Sequence, residues 1–200
     1  NLCKLISYRL DGPVAATTAL RFSLAAPLDA DLVIPAGTTC RARLEENDIV
    51  FETAEDATIP RSRTSVDAGA RQGKRKTETF TAHGETGDPI ILAGKEIAHG
   101  SIRVWVQDQE WTEVSHFQES GSDSRHFMAE TDALDITRIV FGDGLRGAVP
   151  DTGAEIRVEY LETLGAEGNL GTNLVTELLS PIYLDGGLVP LAVTNPVPAT

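Results

Sequence analysis

Cysteine, methionine and histidine are scarce in this 200-residue chain, with two, one and four residues. Cys3 and Cys40 are too few and too far apart for a disulfide framework or a zinc site, which points to a reducing compartment and to two small inert fillers. His83, His99, His116 and His126 show none of the spacings that set two imidazoles on one metal, so neither a metal nor a cofactor is expected. No apolar run approaches the roughly 20 residues that cross a bilayer as a helix, and no membrane partner is expected. The sole methionine is Met128, and no basic-then-apolar leader follows Asn1, so the chain is expected to be a processed or excised piece of a longer protein. Positive charge is short as well. With 17 basic against 30 acidic residues the net charge is -13, which opposes nucleic acid, because each phosphate contact needs a cation.

What is present is ordinary for a globular chain, 41% hydrophobic and 24% charged, and long enough to bury a real core. Leu2, Leu5, Ile6 and Arg9 lie at helical spacing, which predicts the end of a helix over 1–12, stopped by Asp11-Gly12-Pro13. Beyond Pro13 the period becomes two, as in Leu20, Phe22 and Leu24. Leu32-Val33-Ile34, a turn at Pro35-Ala36-Gly37 and the run from Thr38 to Leu44 predict a hairpin. Residues 61–76 hold almost no apolar side chain except Val66, which predicts an exposed loop or sheet edge. Ile102 to Val106 and Glu110 to Val114 predict a hairpin across Gln107-Asp108-Gln109, with Trp111 covering Trp105 on the face away from Ile102, Val104 and Val106. Many short strands without a long amphipathic helix predict a mainly β, antiparallel, sandwich-like domain over 13–190. It is expected as one body or as two subdomains, 13–93 and 94–190, with a Pro-rich linker over 191–200.

Few constellations point to chemistry. His116, Ser120, Asp123 and His126 combine the residue types of a hydrolytic triad, but they crowd one turn cluster without a GxSxG elbow, and no catalytic residue is expected. Gly142-Asp143-Gly144-Leu145-Arg146-Gly147 lacks the Lys-Ser/Thr end of a phosphate loop and the alternating carboxylates of a calcium loop. It reads as a turn in which Asp143 binds backbone amides. Trp105 and Trp111 offer either hairpin packing or a sugar-binding face. Arg61, Arg63, Arg71, Lys74, Arg75 and Lys76 form a basic run on an acidic chain. It reads either as a solvated loop or as a contact with an acidic neighbour such as a second copy, since residues 151–200 hold seven acidic residues and one basic one.

Several phrases in order carry a resemblance: Leu32-Val33-Ile34-Pro35-Ala36-Gly37-Thr38, Val50-Phe51-Glu52-Thr53, Glu110-Trp111-Thr112-Glu113-Val114, Asp123-Ser124-Arg125-His126-Phe127, Val140-Phe141-Gly142-Asp143-Gly144-Leu145-Arg146-Gly147-Ala148-Val149-Pro150, and Glu167-Gly168-Asn169. From about Leu2 to Thr200 the chain resembles baseplate J-like proteins of contractile phage tails and related injection machines. The resemblance implies a structural wedge protein that contacts copies of itself and other wedge proteins, with no enzymatic activity, cofactor or small-molecule substrate. It also implies assembly in the bacterial cytoplasm and residence in the particle's baseplate. Arg125, His126, Phe127, Phe141, Gly142, Asp143, Gly144, Gly147 and Pro150 are then expected to define the fold, with contacts made by loops. A carbohydrate- or receptor-binding β module is the alternative expectation.

Overall fold

The computed structural model describes residues 12–44 and 48–200. The helix end expected over 1–12 falls almost wholly outside these residues. The described chain is mainly β, with one short 3-10 turn at Gly165–Gly168. In order the strands are β1 (Thr17–Ser23), β2 (Leu32–Ile34), β3 (Thr39–Arg43), β4 (Asp48–Thr53), β5 (Ala57–Ile59) and β6 (Ser65–Gln72). There follow β7 (Lys74–Thr81), β8 (Ile90–Ile91), β9 (Arg103–Val106), β10 (Gln109–Glu113), β11 (His126–Thr131) and β12 (Thr137–Phe141). The last five are β13 (Glu155–Glu162), β14 (Glu177–Leu178), β15 (Tyr183–Leu184), β16 (Gly187–Leu188) and β17 (Ala192–Thr194).

The chain forms two compact units, one of residues 14–74 with 163–200, the other centred on residues 75–162. The described chain crosses between them at 13/14, 74/75 and 162/163, whereas the sequence suggested a division near Ala93-Gly94. The difference arises because the last forty residues return to pair with the first sixty: β14 joins β3, and β17 joins β1.

In the first unit a six-stranded sheet runs in the order β14-β3-β4-β6-β1-β17. Residues 65–72 are thus a central strand, where the sequence reading expected a loop or edge. Its alternation is real but written in small residues, because Val66, Ala68 and Ala70 face Phe22, Leu20 and Thr18 across the β1 ladder. Large side chains on β1 fill the space that alanines on β6 leave, and Leu20 and Phe22 are fully buried. The turn at Pro35-Ala36-Gly37 forms, with Gly37 at φ 81°, but it closes no hairpin. Strand β2 pairs with β5 and β3 with β4, because Thr38 and Thr53 lock the chain into the larger sheet. The Thr38 amide donates to Thr53 Oγ1 at 2.9 Å, and the Thr53 amide to the Thr38 carbonyl at 3.0 Å.

The expected linker 191–200 is likewise built in. Thr17 and Thr200 exchange backbone bonds of 2.9 and 3.2 Å, Leu170 bridges Ala199, and Asn195 is completely buried. Its Oδ1 accepts the amides of Leu174 and Val175, both at 2.9 Å, and its Nδ2 donates to the carbonyls of Gly171 and Val197 at 2.7 and 3.0 Å. A pattern of apolar periods does not reveal this strap, because one amide side chain holds it.

The second unit is a seven-stranded sheet in the order β7-β13-β9-β10-β11-β12-β8, curved like a barrel wall. Its ladders β13–β9, β9–β10, β11–β12 and β12–β8 are antiparallel, and that of β10 with β11 is parallel. Val104, Phe127, Ile139, Ile156 and Val158 fill its core.

Candidate functional site

Two segments far apart in sequence meet at one end of the curved sheet. After β12, the Asp143 carboxylate accepts the amides of Arg146 at 2.7 Å and Leu145 at 2.9 Å. These bonds hold its pKa below the usual carboxylate range. A Cβ at Gly142 would stand 2.2 Å from the Gly147 carbonyl oxygen, so this crossing admits only glycine. The loop then docks on the turn before β11: the Gly147 amide donates to the Gly121 carbonyl at 3.0 Å and the Ala148 amide to that of Ser124 at 2.8 Å. Phe127 and Pro150 are buried and Phe141 is half-buried, whereas the Arg125 side chain is exposed. At the tip Leu145 is 80% exposed, on a backbone fixed from both sides.

A second loop uses the same device, which the sequence reading missed. Asp132 Oδ1 accepts the amides of Leu134 at 2.9 Å and Ile136 at 3.1 Å, and its Oδ2 takes a bond from Arg138 at 2.7 Å. Arg138 first, then these amides, hold its pKa below the usual range, and Leu134 projects 74% exposed. The two loops flank β12, so rigid backbone presents a leucine at each end of one strand. The signal in the sequence is an Asp two residues before a Leu.

The triad types do not assemble. Ser120 Oγ and His126 Nδ1 are 2.8 Å apart, but no carboxylate of the described residues bonds to that imidazole, and His116 and Asp123 are exposed. The pair ties the turn to the start of β11. The tryptophans also separate. Val106 pairs with Gln109, so the hairpin loop is Gln107-Asp108, one residue shorter than expected, with Gln107 at φ 56°. That shift sets Trp111 opposite Val104 and turns its ring into the core, against Phe141 at 5.1 Å. Trp105 lies on the other face between the guanidinium groups of Arg157 and Arg103, 4.1 and 4.9 Å from its centroid. No shared indole face exists for a sugar.

The basic run is divided by β6, whose eight residues span about 26 Å. Arg61 and Arg63 lie exposed before it, Arg71 and Lys74 exposed at its far end. Arg75 and Lys76 face Glu159 and Glu162 of the same chain, each at 3.6 Å. The acidic neighbour foreseen for the run is, for these two, the chain's own strand β13.

The remaining feature is the gap between the first and last strands of the curved sheet. Glu78 of β7 bridges one part of it: its carboxylate accepts the Ala93 amide at 3.0 Å and a bond from the Tyr160 hydroxyl. Burial, with that carboxylate beside it, raises the pKa of Tyr160. Farther along, the gap opens into a cavity of about 410 Å³ lined by Phe80, Ala82, Ile90, Phe141, Val149 and Ile156, among others. His83, Glu85 and Asp88 stand at its rim, with His83 Nδ1 and Asp88 Oδ2 at 2.8 Å.

Among the described residues no His, Cys, Asp or Glu cluster is arranged to hold a metal ion, and no helix is long and apolar enough to cross a membrane. In comparison with known proteins, no family model and no curated protein matches the chain.

Proposed function

We propose that this chain is a structural component of a contractile-tail baseplate wedge, acting through protein–protein contacts with copies of itself and with other wedge proteins. What supports the reading is a resemblance: an ordered succession of short segments that is similar to baseplate J-like proteins. Two of them, 123–127 and 140–150, belong to the turn and loop that dock on each other here. Rigid loops that expose Leu134 and Leu145 supply contact points whose ordering entropy is already spent, as suits a protein that works by assembly. The reading requires no catalytic group, and it has the chain assembling in the bacterial cytoplasm before it resides in the particle.

The test is deletion of the full-length gene from its producing strain, followed by electron microscopy of the lysate. Loose tubes and sheaths without complete baseplates are expected. Intact, contractile particles in the deletion strain would reject the reading.

A further inference from the structure

The curved sheet of residues 75–162 ends in two strands with no neighbour on their outer sides among the described residues. In β8 and its continuation, the Leu92 amide bonds to the Thr137 carbonyl, at 3.0 Å. Strand alternation therefore turns the N–H and C=O of Ile91 away from β12, into the gap. In β7 the Ala82 amide donates to Ala154 and the Ala82 carbonyl accepts from Gly153. Alternation then turns the backbone groups of Thr79 and Thr81 away from β13, into the same gap. The Ala93 amide, which faces the gap too, is already taken by Glu78. Thr81 and Ile91 border the apolar cavity, and Thr79 precedes Thr81 on the same edge.

We propose that this seam is a strand-addition site. It takes an extended segment of a neighbouring protein that pairs along Thr79–Thr81 and sets an apolar side chain into the cavity beside Phe80, Ile90 and Phe141. The free backbone edge favours a peptide over a small apolar molecule, because only a peptide supplies donors and acceptors in strand register. The rim sets the charge of the segment. Glu85 and Asp88 stand there, no Lys or Arg lines the cavity, and His83 is already engaged with Asp88. A segment alternating apolar with basic side chains satisfies both features. The site does not depend on which particle the chain serves.

The probe is a pooled library of heptapeptides, with Val, Ile, Leu or Phe at odd positions and Lys, Arg or Thr at even ones. It is titrated into the 15N-labelled 200-residue chain, with amide exchange read by NMR. Saturable shifts around Phe80 and Ile90, with new protection of the Thr79, Thr81 and Ile91 amides, are expected. Asp88→Lys should weaken binding by about threefold to tenfold. A matched library N-methylated at alternate residues, which cannot pair as a strand, should not bind. Absence of binding across the first library at millimolar concentration overturns the proposal. So does equal binding of the N-methylated library, which would make the cavity a site for apolar groups alone. Both decisive arms use the unaltered chain, so a variant that fails to fold does not blunt the test.

Discussion

The six-stranded and seven-stranded sheets are made from the same kind of short, alternating strand, yet they are finished differently. Around the six-stranded sheet, loose backbone is gathered by buried polar side chains. Asn195 makes four bonds to the C-terminal strap, and Gln72 Oε1 accepts from Thr163 Oγ1 at 2.6 Å and the Leu164 amide at 2.9 Å. In the seven-stranded sheet Asp132 and Asp143 fix loops near the surface, the buried Ser120 and Thr137 bond to His126 and Thr131, and the gap between end strands is spanned by the Glu78 carboxylate. Buried side-chain amides gather the loose backbone of one unit, while the end strands of the other leave backbone groups beside a cavity that another chain can use.

The largest effect should come from breaking the first arrangement. Asn195→Leu leaves two amides and two carbonyls without their partner, the Val175 amide in a buried bond and the others part-buried, and is expected to cost about 3 kcal/mol, from roughly 1–3 kcal/mol per buried unpaired group. Cys40 provides the readout, since burial pushes its thiol pKa up to about 12 and leaves it unreactive while this unit is folded. In a Cys3→Ser background, labelling of Cys40 across a urea series should shift to lower urea in the variant. An unchanged midpoint would show that the strap does not depend on Asn195.

Glu78→Ala should act on the other unit and by less, about 2 kcal/mol, because it leaves the Ala93 amide and the buried Tyr160 hydroxyl without their acceptor. Tryptophan fluorescence follows that unit, as Trp105 and Trp111 both belong to it. Glu78→Gln retains an acceptor oxygen and should lose less. Equal losses would mean that the negative charge, not the bridge, matters.

The smallest effect is acidic. The folded-state pKa values of Asp143 and Asp132 lie below the unfolded value of about 3.9. Their stabilisation of the two loops is therefore present above about pH 4 and lost as pH falls through the lower folded values. The Leu145, Arg146 and Leu134 amide resonances should move together with carboxylate protonation below pH 4. Movement centred above pH 4 would contradict the loop assignments.

How much of this could be read in the sequence depends on which side chains carry each element. Leu20 and Phe22 announced β1, and the Gly142–Gly147 turn was legible because glycines and one Asp fix its backbone. Strand β6 was hidden, since Ala68 and Ala70 have little hydrophobic signal of their own and are buried opposite Leu20 and Thr18 of β1. The C-terminal strap was hidden because Pro196 and Pro198 resemble a linker, while its anchor is a single polar residue. The partnership of Trp105 and Trp111 failed on a loop one residue shorter than expected, a length that alternation alone does not determine. The open seam required knowledge of which strands lie at the two ends of the sheet, a long-range property that no local pattern contains.

The contrast between the two units is tested most directly by native-state amide exchange on the 200-residue chain alone. The Thr79, Thr81 and Ile91 amides should exchange at rates close to those of exposed backbone, while Ile156 and Val158 in the same unit, and Leu20 and Phe22 in the other, are strongly protected. Protection of Thr79, Thr81 and Ile91 as strong as that of Ile156 and Val158 would mean that the curved sheet is already closed, and would contradict the account.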